Sequence, residues 1–338
     1  MNNKKFMIAS GAKVGVIGYG SWATAIVKML IENEDKVYWN IAKQDYIDYI
    51  KENKTNPRYL QSVHFPTECL DMSTDINYVV ENSDILIFVT PSIYLKDTLS
   101  SLTVPMKDKF IVSAIKGIVP QDNITIAEYF NQNYDVPFDQ LGIIVGPCHA
   151  EEVALERLSY LTVVCKDQDN AAAIAKKITC KYISVSTSTD IYGAEYAAVL
   201  KNIYAIAVGM CIGLRYGDNF TAVLIANATM EMSRFMENTY PYERNILASA
   251  YLGDLLVTTY SAFSRNRTFG VMIGKGYSIR SAQMEMTMVA EGYYASECIQ
   301  QINQKYNVDM PIANAVYEVL YQKKPAAATI KELAKQLI

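Results

Sequence analysis

The chain of 338 residues contains two histidines, His64 and His149. So few leave little room for a histidine-based metal centre or a Ser-His-Asp triad. The six cysteines, Cys69, Cys148, Cys165, Cys180, Cys211 and Cys298, are scattered and form no C-x-x-C pair. A structural zinc site or a disulfide framework is therefore not expected, and a reducing compartment fits. No Lys/Arg cluster supplies a positive stripe, and 31 basic against 35 acidic residues leave a net charge of -4. A nucleic-acid partner is not expected from that balance. Within residues 1–10 only 6–9 form an apolar stretch, too short for a signal-peptide core. The longest uncharged, mostly apolar runs, 202–214 and 219–230, fall short of the roughly 20 residues that cross a bilayer. No stable membrane insertion and a soluble, cytoplasmic protein are the expectation. With 51% hydrophobic residues the chain is globular, and its length suggests two domains.

What is present divides into two halves. Short β-rich runs alternate with helical stretches up to about residue 188. The expected strands are 14–17, 36–39, 85–90, 110–114, 143–145, 162–165 and 182–185, with helical segments such as 21–31, 123–131 and 170–178 between them. Strands apolar throughout and separated by helices imply a parallel sheet covered on both faces. Beyond Asp190 the strand pattern stops. Helical patterns cover 193–214, 220–238, 242–251, 278–288, 295–306 and 311–322, punctuated by Pro241, Gly253, Gly276, Gly292 and Pro311. The expected domains are 1–190, α/β, and 191–338, all-helical.

The first strand, Val14-Gly15-Val16-Ile17, runs directly into Gly18-Tyr19-Gly20-Ser21-Trp22-Ala23. This is G-x-G-x-x-A between a strand and a helix. Gly18 permits a tight turn, Gly20 lets a pyrophosphate approach the backbone, and Ala23 keeps helix and strand close. The helix N-terminus then favours the anion. A Rossmann-type dinucleotide-binding domain follows from that context. An acid at the end of the second strand would hold a ribose 2′-hydroxyl, but the sequence there reads Trp39-Asn40-Ile41-Ala42-Lys43. Lys43 is close enough to meet a 2′-phosphate and equally suits a solvated helix surface. NAD and NADP both remain open, and weak discrimination between them is expected.

Two lysines stand in apolar surroundings. Lys116 follows the strand 110–114, at the carboxyl end where open parallel sheets bind ligands. Lys201 sits inside the helical stretch 193–214, which is apolar on nearly every face. Desolvation there lowers the preference for charge and moves a lysine toward general-base duty. The alternative for each is a packed stem with a head that reaches water. Ser264-Arg265-Asn266-Arg267 combines a hydroxyl, two guanidiniums and an amide with no carboxylate nearby in sequence. One arginine is expected to bind a planar anion bidentately while the other pairs elsewhere. Asp254 reads either as a site residue or as a helix N-cap. Gly146-Pro147-Cys148-His149-Ala150 follows a strand and opens a helix, whose free N–H groups suit a phosphate or hydroxyl. A structural role is the first reading of His149, and nothing nearby marks Cys148 as a nucleophile.

Taken in order, these segments resemble the bacterial-type NAD(P)-dependent glycerol-3-phosphate dehydrogenase family. The resemblance runs from Val14 to about Tyr321. Besides the motifs above it includes Thr90-Pro91-Ser92, Leu200-Lys201-Asn202, Leu252-Gly253-Asp254-Leu255, Val289-Ala290-Glu291-Gly292 and Met310-Pro311-Ile312. It implies a Rossmann-type domain followed by an all-α domain like the C-terminal domain of 6-phosphogluconate dehydrogenase. It implies the interconversion of dihydroxyacetone phosphate and sn-glycerol 3-phosphate for glycerophospholipid synthesis, with NAD or NADP as cofactor, in a homodimer. Lys201 corresponds to the family's proton-transferring lysine, with Lys116 beside it in catalysis. Lys116, Gly146, Cys148, Lys201, Asp254, Ser264, Arg265 and Asn266 stand at substrate positions. Ser21, Trp22, Lys116, Ala150, Arg265, Val289 and Glu291 stand at cofactor positions, together with Gly18 and Gly20 of the turn. Three residues depart from the family pattern: Ala23 replaces a glycine, Cys148 a Ser or Thr, and Ile41 a frequently basic side chain. The alternative readings are a β-hydroxyacid dehydrogenase of the 6-phosphogluconate type and a dinucleotide sensor without turnover.

Overall fold

A computed structural model describes residues 6–286 and 288–338. Half of the expected 1–10 segment and position 287 of the expected helix 278–288 lie outside the described residues. The chain divides into two compact units: Met1–Ile115 with Ile126–Ile191, and Lys116–Thr125 with Tyr192–Ile338. Lys116–Thr125 belongs to the helical unit rather than to the sheet unit.

The first unit runs β1 (Val14–Ile17), α1 (Ser21–Leu30), β2 (Val37–Asn40), α2 (Gln44–Asn53), β3 (Leu70–Ser73), α3 (Ile76–Glu81), β4 (Ile85–Phe88) and α4 (Leu95–Leu99). It continues with β5 (Phe110–Ser113), α5 (Ile126–Tyr134), β6 (Leu141–Val145), α6 (Ala150–Ala154), β7 (Ser159–Cys165), α7 (Gln168–Ile178) and β8 (Ile183–Ser188). The sheet order is β3-β2-β1-β4-β5-β6-β7-β8. This is the doubly wound order in which the chain reverses direction beside β1, where such sheets bind dinucleotides. Strands β1, β2, β4, β5 and β6 are buried along their whole length, as their unbroken apolar runs require. The sheet is not wholly parallel, because β6 and β7 pair antiparallel. β3 has the sequence LDMS and only its first residue is buried.

The second unit contains α8 (Ile191–Gly213), α9 (Asp218–Thr239), α10 (Asp254–Tyr260), α11 (Arg265–Gly274), α12 (Ile279–Glu285), α13 (Glu291–Tyr306), α14 (Pro311–Leu320) and α15 (Ala326–Leu333). The expected helix at 242–251 is absent. Non-helical backbone leads instead into a single π-helical turn at 249–253, directly before α10. α8 is apolar and long enough to cross a membrane by length and composition alone, but 89% of its apolar window is buried inside the protein. It is the core helix of its unit. α11 crosses it at backbone distance: a Cβ on Gly209 would lie 2.2 Å from the Arg267 carbonyl, and one on Gly270 equally close to that of Ile206. Only glycine allows that approach, and it brings the start of α11 beside the middle of α8.

Candidate active site

The turn after β1 has the form that a pyrophosphate needs. Gly18 holds φ +122°, and a Cβ there would meet the Val89 carbonyl at 2.6 Å. Its N–H donates to the Asn40 carbonyl (3.3 Å), and its own carbonyl accepts from the buried Trp39 indole N–H (2.7 Å). Thus the carboxyl end of β2 is bolted to the turn. Gly20 is the extended N-cap of α1 and offers no capping side chain, and the first turn carries no acid. A Cβ on Gly20 would meet nothing within 4 Å, so its outer side is open space. The uncapped N–H groups of α1 therefore face room for an anion, and the residues fit a dinucleotide. The Thr90 hydroxyl beside Gly18 is buried and has no partner among the described residues.

The other expected residues of the first unit are Ser21 and Ala23, buried on α1, then Trp22, and Gly146, Cys148 and Ala150 around the start of α6. Gly146 again holds a positive φ, +121°, against the Tyr160 carbonyl. Cys148 is 5% exposed and its side chain belongs to the hydrophobic core. His149 is the extended residue preceding α6, the structural position that the sequence suggests first. Ile41, the position at which the resemblance notes a frequently basic side chain, is fully buried in the core of this unit.

The second unit brings Lys116, Lys201 and Asp254 together. Lys201, 2% exposed, pairs its ammonium with Asp254 Oδ1, and Lys116 lies beside it. Burial pushes the Lys201 ammonium down to about 7, the Lys116 charge pushes the same way, and Asp254 opposes both. Asp254 is no N-cap. Gly253 occupies that position with helical backbone, so the carboxylate is directed at Lys201 instead. The second carboxylate oxygen, Asp254 Oδ2, is buried without a partner among the described residues. An uncompensated buried acceptor of this kind is costly, and it suits a substrate hydroxyl.

A chain of amides fixes this cluster. Asn202 Nδ2 donates to the Lys116 carbonyl (2.8 Å), and Asn202 Oδ1 accepts from Asn266 Nδ2 (2.9 Å). Asn266 Oδ1 then accepts from the Gly292 N–H (2.9 Å), where a Cβ would lie 2.5 Å from the Asn202 carbonyl. Four segments are thereby held together: the Lys116 loop, α8, α11 and α13. The Asn266 amide, which the resemblance sets at a substrate position, gives its oxygen and one of its two N–H donors to this chain. Ser264 is a buried N-cap of α11 whose hydroxyl accepts from the Arg267 N–H (3.3 Å). Arg265 begins α11 half-buried, Glu291 begins α13, and Val289 stands just before it. The roles of Asn202 and Gly292 had no local signal in sequence beyond their place in the motifs.

The family model described as the N-terminus of NAD-dependent glycerol-3-phosphate dehydrogenase matches residues 13–171, and the corresponding C-terminal model matches residues 190–331. A glycerol-3-phosphate dehydrogenase [NAD(P)+] of Agathobacter rectalis is 35% identical over 326 residues, 95% of each chain. One from Exiguobacterium is 33% identical over 327 residues, 96% of each chain. Among solved structures, the glycerol-3-phosphate dehydrogenase of Coxiella burnetii superposes with a TM-score of 0.87 at 25% identity, covering 96% of this chain and 99% of its own. D-mandelate dehydrogenase reaches a TM-score of 0.60 at 16% identity, a likeness of fold alone. With both halves matched in order and the relatives aligned over nearly their whole length, the chain belongs to the NAD-dependent glycerol-3-phosphate dehydrogenase family.

Proposed function

We propose that this chain catalyses the NAD(P)H-dependent reduction of dihydroxyacetone phosphate to sn-glycerol 3-phosphate. The observation that carries the reading is the buried Lys201 with Asp254 and Lys116 against it. A nicotinamide cofactor held at the start of α1 would supply the hydride for the carbonyl carbon. Lys201, with its affinity for the proton lowered to near neutrality, gives that proton to the carbonyl oxygen, and takes it back in glycerol 3-phosphate oxidation. Asp254 Oδ1 orients the ammonium, and Oδ2 accepts the neighbouring substrate hydroxyl. Lys116 places a second positive charge where the oxygen becomes negative, in a site where charges act strongly. Arg265 binds the phosphate bidentately, and that remote binding energy holds the carbonyl carbon in place. The Asn202–Asn266 chain keeps Lys116 in register with Lys201. The uncapped start of α1 holds the cofactor pyrophosphate.

The product supplies the backbone of glycerophospholipids, in a cytoplasmic homodimer. The outward strip of α9, with Ala222, Val223, Ala226 and Met230 exposed, supports a contact between copies. The test is the loss of reduced-nicotinamide absorbance on adding dihydroxyacetone phosphate to the purified chain. Turnover with that substrate and none with a three-carbon oxo acid is expected, and the reverse would overturn the reading.

A further inference from the structure

After β5 the chain leaves the sheet. The Ala114 N–H still donates to the Phe88 carbonyl of β4 (2.9 Å), but the Ile115 N–H turns back onto the Ser113 hydroxyl (3.2 Å). The next segment, Lys116–Thr125, belongs to the helical unit, and α5 then returns the chain to the sheet unit. One lysine of the site is thus carried by a segment that interrupts the sheet unit in sequence.

That segment is a closed arm. Ile118 and Val119 are buried. The Val119 N–H donates to the Ile124 carbonyl (3.1 Å), and the Val119 carbonyl accepts from the Asn123 N–H (3.1 Å). Gln121 and Asn123 turn the arm with left-handed backbone, φ +70° and +53°. Asparagine tolerates that conformation better than most residues, and here its amide has a second task. Asn123 Nδ2 donates to Gln301 Oε1 on α13 (2.6 Å). The root of the arm reaches the same helix by another route. The Lys116 carbonyl accepts from Asn202, whose oxygen accepts from Asn266, whose oxygen accepts from the Gly292 N–H at the start of α13. Gln301 lies about two and a half helical turns beyond Gly292. Root and tip are therefore fastened to two points of one helix, and the Lys116 backbone cannot shift without breaking one of the ties.

Given the reaction proposed above, on which this rests, we infer that Lys116–Thr125 is a strap that holds the Lys116 ammonium at Lys201, with Asn123 and Gln301 as positioning residues that act through Lys116. Lys201 faces two charged groups, Asp254 and Lys116. Lys116 acts on it by like charge, and that repulsion falls with distance, so slack in the strap is read at Lys201.

The experiment follows glycerol 3-phosphate oxidation against pH in the full native chain and in Asn123→Gly, Gln301→Ala, Lys116→Met and the double variant Lys116→Met, Asn123→Gly. Glycine keeps the left-handed turn and removes only the amide. Oxidation needs neutral Lys201, whose ammonium is held down at about 7, so the acid limb of kcat/KM reports it. Asn123→Gly and Gln301→Ala should each lower kcat by about threefold to tenfold, the worth of one hydrogen bond, and move the acid limb to higher pH. Lys116→Met should also move the limb up, and adding Asn123→Gly to it should move the limb no further. Native-like NADH binding shows that each variant is folded. An acid limb that stays in place in Asn123→Gly and Gln301→Ala, or a shift that Asn123→Gly still causes once Lys116 is gone, would overturn the strap while turnover by the native chain leaves the functional reading standing. A native chain that does not oxidise glycerol 3-phosphate overturns the functional reading and the strap with it.

Discussion

Replacing Asp254 with Asn removes the negative charge that pairs with Lys201 and keeps the volume of the side chain. In the native chain two influences lower the Lys201 ammonium, burial first and then Lys116, while Asp254 acts against both, with a balance at about 7. An opposite charge in contact typically moves a pKa by about 1–3 units, each worth roughly 1.4 kcal/mol. Without it Lys201 should titrate roughly 1–3 units lower, near pH 4–6. The sign differs for the two directions of reaction. Oxidation of glycerol 3-phosphate needs neutral Lys201, so kcat/KM rises as pH rises through about 7 in the native enzyme. In Asp254→Asn that rise should occur at lower pH. Reduction of dihydroxyacetone phosphate needs the ammonium, so its activity is lost on the alkaline side, and earlier in the variant. The plateau also drops, because Oδ2 no longer accepts as a carboxylate, but the readout is the position of the acid limb. An acid limb that overlies the native one, or moves up, would refute Lys201 as the titrating group.

Arg265→Ala should raise KM for dihydroxyacetone phosphate by tenfold or more, an effect of order 1.5–3 kcal/mol for a lost charge-assisted contact; an unchanged KM would pass the phosphate to Arg267, whose Nε is buried without a partner among the described residues. Glu231, buried on α9, accepts from the Ile312 and Ala313 N–H groups (2.7 and 2.9 Å) at the start of α14, and burial pushes its carboxyl up to about 7. Because that pKa is raised, its contribution to stability is complete below the ordinary carboxylate range and is lost as pH rises through about 7. Glu231→Gln should flatten this slope and, by turning an NH2 toward one α14 amide, cost about 1–3 kcal/mol, to be read from urea unfolding between pH 5 and 8 (about the range of maximal stability); parallel curves would deny the clamp. Gly209→Ala should destabilise by more than about 2 kcal/mol, since its Cβ would sit 2.2 Å from the Arg267 carbonyl and must force α8 and α11 apart; a native melting temperature would mean that these helices slide freely.

The sequence made some of this legible, and particular residues show why. β1, β4, β5 and β6 are buried along their whole length, so unbroken apolar runs announced them. β3 was invisible because LDMS is short and only its first residue is buried. The antiparallel turn of β7 against β6 leaves no trace in composition. The helix expected over 242–251 fails because Tyr242 and Leu247 are exposed, so its apolar spacing buries nothing there. Lys201 stood out as a lone charge in an apolar helix. Its pairing with Asp254, like that of Asn202 with Asn266, joins residues more than fifty positions apart and is set by the close crossing of α8 and α11 and by the π-helical turn before α10. Local pattern carries no such information. Ile41 likewise turns into the core, which its neighbours in sequence, Asn40 and Ala42, do not announce.

Everything in the proposed reaction turns on Lys201 moving the proton. Its direct test is Lys201→Ala, with NADPH binding followed by fluorescence and dihydroxyacetone phosphate reduction followed at saturating substrate. The cofactor should bind as in the native chain while kcat falls by about 10²–10⁴, the usual worth of a general acid. A primary amine added to the medium should restore part of the rate by occupying the vacated space. A folded variant that binds NADPH and keeps a near-native kcat would rule this out, because the buried ammonium between Asp254 and Lys116 would then have no part in the chemistry.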